Sequence, residues 1–366
     1  MTRVYLDYNA TSPLYPAVKE AMLGAMDTFG NPSSVHRDGA TAKRVVNGAR
    51  DVLAKALSVK TGQIVFTSGG SEANATVLNT FKGKTIICAA TEHASVLHNP
   101  SITATIPVTS NGIVDLAALE RMVHAQKPGL ISVMAANNEM GVLQPMTDIA
   151  NIAYNAGASV HCDMVQAFGK IPLEAIFPYC DFATLAFHKV GGPKGLGAVI
   201  SRCAECLEPL IFGGSQEYRR RAGTENTVVL AGLTALCEAL SLSYQNNLRD
   251  FHQVMEDTLT QNGGVIVGQG SHRLPNTTCV IMPEVPAETQ VIHCDLAGIS
   301  VSSGSACSSG KITPSPVLKA MGFSERDAAC ALRISSGHAT TAKDIERFTQ
   351  SWLSLNQKYN HHQKVA

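Results

Sequence analysis

Residues 181–195 read DFATLAFHKVGGPKG: an apolar run that turns polar at His188 and Lys189, then breaks in a glycine–proline loop. A short apolar run closed by turn residues reads as a buried strand. The stretches around it repeat the design. SVHCDMVQAFGK (159–170) is a strand turning polar at Asp163 and Gln166, and GLISVMAANNEMG (129–141) runs into a polar loop through Asn138. KTIICAA (84–90) precedes EHASVLHNP, and QIVFTSGG (63–70) precedes SEANATVLNTFK, which the spacing predicts to be a helix from Ser71. A further helix is predicted over MTDIANIAYNAG (146–157). Strands alternating with helical patterns predict an α/β fold, a mostly parallel sheet flanked by helices. Such sheets bind ligands in the crevice beyond their carboxyl ends, and Asn138, Asp163, His188 and Lys189 fall there.

From about residue 243 the pattern changes. The helix LRDFHQVMEDTLTQNG is followed by TTCVIMP, TQVIHCDLAG, the loop VSSGSACSSG (301–310), SPVLKAMG and a last helix from about 341. This predicts a large domain over 13–242 and a smaller α+β domain over 1–12 and 243–366, completed by the N-terminal strand RVYLDYN and carrying the cysteine loop at about 301–315. At 366 residues, 45% hydrophobic and 16% charged, the chain has ample material for two cores. Lys plus Arg balances Asp plus Glu at 29 each, so no overall field draws nucleic acid or an anionic membrane. The first residues lack a signal-type apolar core, and no run approaches the roughly 18 apolar residues of a spanning helix. The expectation is a cytoplasmic protein whose ten cysteines are reduced. Cys203 and Cys206, in CAEC, admit a zinc or a redox reading, but no second pair matches them.

Lys189, at the end of an apolar strand, can be desolvated enough to bind a carbonyl cofactor covalently, though an isolated lysine there also reads as a solvated loop residue. Lys194, between Pro193 and Gly195, suits a role in fixing the loop. Asp163 can pair with a protonated pyridine nitrogen, as in pyridoxal-phosphate enzymes, or cap a helix. Gln166 can donate to the cofactor's phenolic oxygen. His161 with Asp163 resembles a metal pair that lacks a third ligand. The amides of Gly70, Ser71 and Glu72 open a helix and suit a phosphate. His93 can stack on an aromatic ring and transfer protons, or be structural. Cys307 sits among serines and glycines, which do not bury a thiol and leave its tether free to move.

Together these segments resemble the cysteine desulfurases, pyridoxal-phosphate enzymes of the class V aminotransferase group. The resemblance runs from YLDYNATSP and FGNPSSVH through TSGGSEAN, TEHASV, NNEMGVLQP, HCDMVQAFGK, HKVGGPKGLG, RRAGTEN and SSGSACSSG to LRISSGHATT. RRAGTEN and the long cysteine loop resemble the housekeeping or nitrogenase-associated branch. The resemblance implies a fold-type-I homodimer that binds pyridoxal 5'-phosphate. Lys189 would carry the cofactor, Asp163 would hold its pyridine nitrogen, Gln166 its phenolic oxygen, and His93 would stack on its ring. Asn138 would sit near the phenolic oxygen and the substrate carboxylate. Gly70, Ser71 and His188 would hold the phosphate, with Thr224 reaching across from the second subunit. Asn31 and Arg333 would clamp the carboxylate of L-cysteine, and Cys307 would take its sulfur as a persulfide. The product sulfur would pass to an iron–sulfur cluster scaffold, another acceptor protein, or tRNA thiolation. No resident metal is implied, Cys307 being at most a transient ligand of a cluster shared with a scaffold.

One departure stands out. The family usually has a serine three residues before the lysine, with its hydroxyl on the phosphate; here AFHK (186–189) puts Ala186 there, followed by a bulky Phe187. A lost charge-assisted hydrogen bond costs about 1.5–3 kcal/mol, which predicts weaker cofactor retention or a phosphate shifted toward Ser71 and Thr224. It also keeps open a selenocysteine lyase and a non-catalytic scaffold that docks a sulfur acceptor.

Overall fold

A computed structural model describes residues 3–174, 176–240, 243–304 and 314–365, so Cys307 lies outside the described residues. Thirteen strands occur among them, in chain order β1 (Val4–Tyr5), β2 (Ile64–Thr67), β3 (Ile86–Ala89), β4 (Ala104–Ile106), β5 (Leu130–Ser132), β6 (Ser159–Asp163), β7 (Phe182–Ala186), β8 (Gly197–Ser201), β9 (Val265–Ile266), β10 (Thr277–Ile281), β11 (Ile299–Ser300), β12 (Ser302–Ser303) and β13 (Ala331–Ser335). Seven form one sheet, in the order β2-β8-β7-β6-β5-β3-β4. Only β8 runs against the others. The physical reason is length: the few residues between Ala186 and Gly197 cannot make the crossover that a parallel neighbour requires. Gly197 lets β8 pass close to the turn before the helix Gly70–Thr80, since a Cβ there would lie 2.5 Å from the Gly69 carbonyl carbon. The sequence reading did not single out β4 or β8.

The sheet is covered on both faces, which is why its strands read as continuous apolar runs. Ile64, Phe66 and Ile200 pack with Val46, Leu53 and Leu236 of flanking helices. Alternate residues Val65 and Val199 pack on the opposite face with Ala73, Val77 and Leu78. A second core gathers Val4 and Leu6 with Leu259, Ile334, Phe348 and Trp352. It rests on the four-stranded sheet β12-β13-β10-β9 and the parallel pair β1-β11. Past β1 the chain bridges Asp7 to Ser335, at the end of β13. The N-terminal segment thereby carries residues of the second core to the carboxyl edge of the large sheet.

One sequence expectation is revised by the cysteines. Cys203 and Cys206 form a disulfide across the short 3-10 turn Ala204–Cys206, so the expectation of wholly reduced thiols fails at this pair. The two intervening residues bring the sulfurs within bonding reach, and the pair is thereby not available as zinc ligands. Among the described residues seven other cysteines are free. Among the described residues no cluster of three potential metal ligands occurs, and no helix is long and apolar enough to cross a membrane.

Candidate active site

A cavity of about 320 Å³ opens at the carboxyl ends of β6 and β7, within the size range of small-molecule sites. Lys189 enters it from the 3-10 turn Phe187–Lys189 that terminates β7. Its Nζ donates to the carbonyls of Asn9 and Ala10, each at 2.9 Å. Asp163, the last residue of β6, lies beneath the same cavity and is 5% exposed. Its Oδ1 accepts the Val165 amide at 2.9 Å and its Oδ2 accepts Asn74 Nδ2 at 2.8 Å. Both partners are neutral amides, and among the described residues Asp163 has no ion-pair partner. A buried carboxylate held this way calls for a cation arriving with a ligand. A protonated pyridine nitrogen fits that demand, so the donor set present suits pyridoxal phosphate.

Asn74 links the two sides of this floor. Its second N–H donates to Ser95 Oγ at 2.9 Å, and Ser95 in turn bonds His93 Nδ1 through both its hydroxyl (2.8 Å) and its amide (3.1 Å). Because Nδ1 accepts the amide proton, the neutral ring carries its hydrogen on Nε2, facing away from Ser95. Burial lowers the His93 pKa; nearby Lys189 adds to this and Asp163 opposes it. A neutral ring over the cavity is the form that stacks on an aromatic ligand and accepts or returns a proton.

At another end, Gly70 and Ser71 line the cavity and present the first amides of the helix Gly70–Thr80, donors that suit an anion. Glu72 would repel an anion here, but it is turned back onto Ser68 N (2.8 Å) and Arg221 (2.9 Å). Burial raises its pKa, yet those bonds outweigh burial and hold it below the ordinary carboxylate value. His188 also lines the cavity; burial first, then Lys189 and Lys194, push it down to about 4, leaving a neutral ring with one N–H to offer. Its Nδ1 lies 3.2 Å from Thr11 Oγ1. Ala186 forms part of the cavity floor against Gly70 and brings no donor. Phe187 is fully buried in the core, edge-on to Phe168 at 5.7 Å between centroids, and is absent from the cavity lining. The departure in sequence therefore removes a donor without taking space from a ligand.

The opposite rim is cationic. Arg333, its side chain 3% exposed, donates from Nη2 to Asp7 Oδ1 at 2.7 Å and from Nη1 to the Asn138 carbonyl at 3.2 Å, while its Nε has no hydrogen-bond partner among the described residues. Asn138 lines the cavity beside it, and Ser302, in the strand that precedes the cysteine stretch in sequence, pairs with Arg333 across β12 and β13. Ser315, just past that stretch, donates to Glu139 Oε2 at 2.5 Å. Burial raises Glu139 to about 7 despite Ser315 and Arg333, which pull it down. Two expected site residues stand apart from this cavity. Asn31 is exposed and accepts Ser33 N at 2.9 Å, and Thr224 lines a separate cleft with Ser68 and Arg221. His161, the other half of the suggested metal pair, spends both ring nitrogens on Ser132 Oγ (2.8 Å) and Thr184 Oγ1 (3.0 Å), a structural arrangement.

Several residues of the site were not singled out from sequence: Asp7, Asn9, Asn74, Ser95 and Glu139. The signal available was a polar side chain next to an apolar strand, as in YLDYN, which by itself does not distinguish a site residue from a turn.

A parallel sheet whose carboxyl edge holds a lysine, a buried aspartate and a helix N-terminus defines a pyridoxal-phosphate enzyme. The family model described as aminotransferase class-V matches residues 4–348, and the chain belongs to that family. Within it, the cysteine desulfurase of Cereibacter sphaeroides is 37% identical over 367 residues, covering 96% of this chain and 95% of that protein. The cysteine desulfurase IscS of Dictyoglomus turgidum is 37% identical over 363 residues, covering 93% and 91%. Among solved structures, a NifS-like protein from Rickettsia africae superposes with a TM-score of 0.89 at 35% identity, covering 97% of this chain and 99% of that one. A structure of SspA in complex with cysteine superposes with a TM-score of 0.78 at 29% identity, covering 91% and 98%.

Proposed function

We propose that the protein is a cysteine desulfurase that converts L-cysteine to L-alanine and leaves the sulfur as a persulfide on Cys307. The observation that carries this reading is the meeting, in one cavity, of Lys189, the unpaired buried Asp163 and the guanidinium of Arg333. Pyridoxal phosphate, when bound, supplies an electron sink that makes bonds at the substrate's carbons labile. Lys189 would hold it covalently, Asp163 its pyridine nitrogen, Gln166 its phenolic oxygen, and Gly70, Ser71 and His188 its phosphate. Arg333 binds the substrate carboxylate, aided by Asn138. Asp7 and the Asn138 carbonyl fix the guanidinium in place beforehand, so little rotamer entropy is lost on binding. Lys189 moves protons at the substrate carbons, and His93, neutral and protonated at Nε2, is placed to assist. The balance is one substrate C–S bond broken and one S–S bond formed: cysteine plus the Cys307 thiol gives alanine plus the Cys307 persulfide.

The same reading makes the protein a cytoplasmic homodimer. Asn31 and Thr224 stand outside this chain's own cavity, and Phe29, Val35 and Phe212 are exposed at 85%, 102% and 81%, which suits a face covered by a second copy. An iron–sulfur scaffold or another sulfur-acceptor protein, or tRNA thiolation, would take the sulfur onward. A second reading, a scaffold that binds cofactor poorly, is favoured by one observation, the missing donor at Ala186. Purified protein reconstituted with pyridoxal phosphate is incubated with L-cysteine and a thiol reductant, and alanine and sulfide are measured. Equal yields of the two, lost in Cys307→Ala with the cofactor retained, support the desulfurase. Absence of alanine from a protein that binds the cofactor overturns it, and faster release from selenocysteine than from cysteine assigns it as a lyase.

A further inference from the structure

Lys170 has no role in the chemistry described above, yet it lies directly behind the cavity. It is 3% exposed, and its Nζ donates to Asn9 Oδ1 at 2.7 Å and to Gln166 Oε1. No carboxylate approaches it among the described residues; the charged groups that act on it are the cations Lys189 and Arg333. An amine sunk in a core without an acid is costly, and a methionine or leucine would fill the same volume without that cost. The expense makes sense only if the N–H groups do something a hydrocarbon does not.

What they do is orient two amides. Gln166 can present either its oxygen or its NH2 to the cavity it lines, and the two choices have opposite consequences for an oxygen on a ligand ring. With Oε1 drawn back to Lys170, the NH2 is left forward: one hydrogen reaches the Asn9 carbonyl at 3.1 Å and the other is free for the cavity. Asn9 is fixed by the same amine. Its Oδ1 meets Lys170, its Nδ2 donates to the Asn138 carbonyl (3.1 Å) and Thr277 Oγ1 (2.9 Å), and its own carbonyl accepts Lys189 at 2.9 Å. One buried amine therefore sets the direction of the Gln166 donor and steadies the peptide that receives Lys189.

We propose that Lys170 is a positioning residue for the cofactor's phenolic oxygen, holding the Gln166 carboxamide with its NH2 toward the ring and tying Asn9 into the same array. Burial, reinforced by Lys189 and Arg333, drives the Lys170 amine well below its ordinary pKa. In either protonation state the amine offers the two N–H groups that the two oxygens it meets require. The inference rests on the pyridoxal-phosphate reading of the site, and its test separates the two.

The test is the pH midpoint of the visible absorbance band of the bound cofactor, measured without substrate in wild type, Lys170→Met, Gln166→Leu and the double variant. Lys189, Asp163, His93, His188 and Arg333, the charged and titratable side chains around the cavity, are unchanged in all four. Removing a donor to the phenolic oxygen makes the ring system hold its proton more tightly. Lys170→Met is therefore expected to raise the midpoint by about one pH unit, a tenfold change in proton affinity. The KM for cysteine stays within about twofold while kcat falls, because Asp7 still holds the Arg333 guanidinium. In the Gln166→Leu background, Lys170→Met adds no further shift, since the effect travels through Gln166. If Lys170→Met does not fold, Lys170→Gln, whose amide stops short of Gln166, carries the same expectation. A folded Lys170 variant with the wild-type midpoint overturns the inference, as does a full additional shift in the double variant. A wild type that develops no visible band at all overturns the reading of the site itself.

Discussion

The floor of the cavity comes from neighbouring strands of one sheet, whereas the rim proposed to bind the substrate carboxylate is assembled from opposite ends of the chain. Asp163 ends β6 and Lys189 ends the turn that follows β7, the two strands pair directly, and Asn74 ties the floor to His93 through Ser95. On the rim, Arg333 is held by Asp7 across 326 positions of sequence and by the Asn138 carbonyl from the large sheet's loops. The floor is fixed by strand pairing that exists with or without a ligand. The rim depends on how the second core, through β13 and the N-terminal segment, sits against the first. The division suggests separable duties, with cofactor retention set by the floor and substrate affinity by the rim.

Four measurements test that division, and the sharpest is on the floor. Lys189→Ala should abolish alanine formation and the visible band of the bound cofactor together; retained turnover would remove the floor from the chemistry altogether. On the rim, Arg333→Lys loses the fork that matches a carboxylate. It should raise the KM for cysteine roughly 10- to 100-fold, the worth of one or two charge-assisted bonds. Cofactor affinity should stay unchanged, and a parallel loss of cofactor would show that rim and floor are one unit.

A milder effect is expected at Ala186, where the floor lacks a donor. Ala186→Ser should tighten pyridoxal-phosphate binding about tenfold, read by dialysis or fluorescence quenching, with little change in the KM for cysteine. An unchanged Kd would mean that another group already fills the place. The smallest effect belongs to Glu139, under the rim. Its folded pKa of about 7 exceeds the ordinary value of 4.5, so the folded state binds its proton more tightly than the unfolded chain does. Its contribution is fully present below about pH 4.5 and is lost as pH rises through 7, on the order of 3 kcal/mol in all. Glu139→Gln should therefore match wild type near pH 5 and melt a few degrees higher at pH 8. The opposite slope comes from buried histidines such as His161 and His188, both pushed down to about 4, whose contribution is lost as pH falls from about 6.5 through 4. Both histidines are shared by the two proteins, so the difference between the melting curves isolates Glu139.

Legibility followed the same line as the division of the site. Asp163 and Lys189 could be picked out because each interrupts an apolar strand at its end, and a strand end in a parallel sheet is where ligands bind. Ser71 was visible as a glycine turn before a helix. Asp7, Asn9 and Asn74 were not, because a polar residue in a loop or on a helix acquires meaning only from what it faces. Lys170 was hidden for the same reason: in QAFGK it reads as an ordinary charged residue near a turn, and only the fold shows it buried against Asn9 and Gln166. Phe187 was legible as a departure but misleading as an obstacle, since its ring enters the core instead of the cavity.

By itself the sequence determined the alternation that makes the sheet, the strand ends that carry Asp163 and Lys189, and the glycine turn that opens the helix Gly70–Thr80. These are consequences of local period and local breakers, which act over a few residues. The tertiary structure alone decided that β8 inserts antiparallel, that Arg333 meets Asp7 across the chain, and that a lysine amine lies without an acid behind Gln166. Those outcomes depend on which surfaces pack together and what each buried polar group finds there, and a linear pattern carries no record of distance through space.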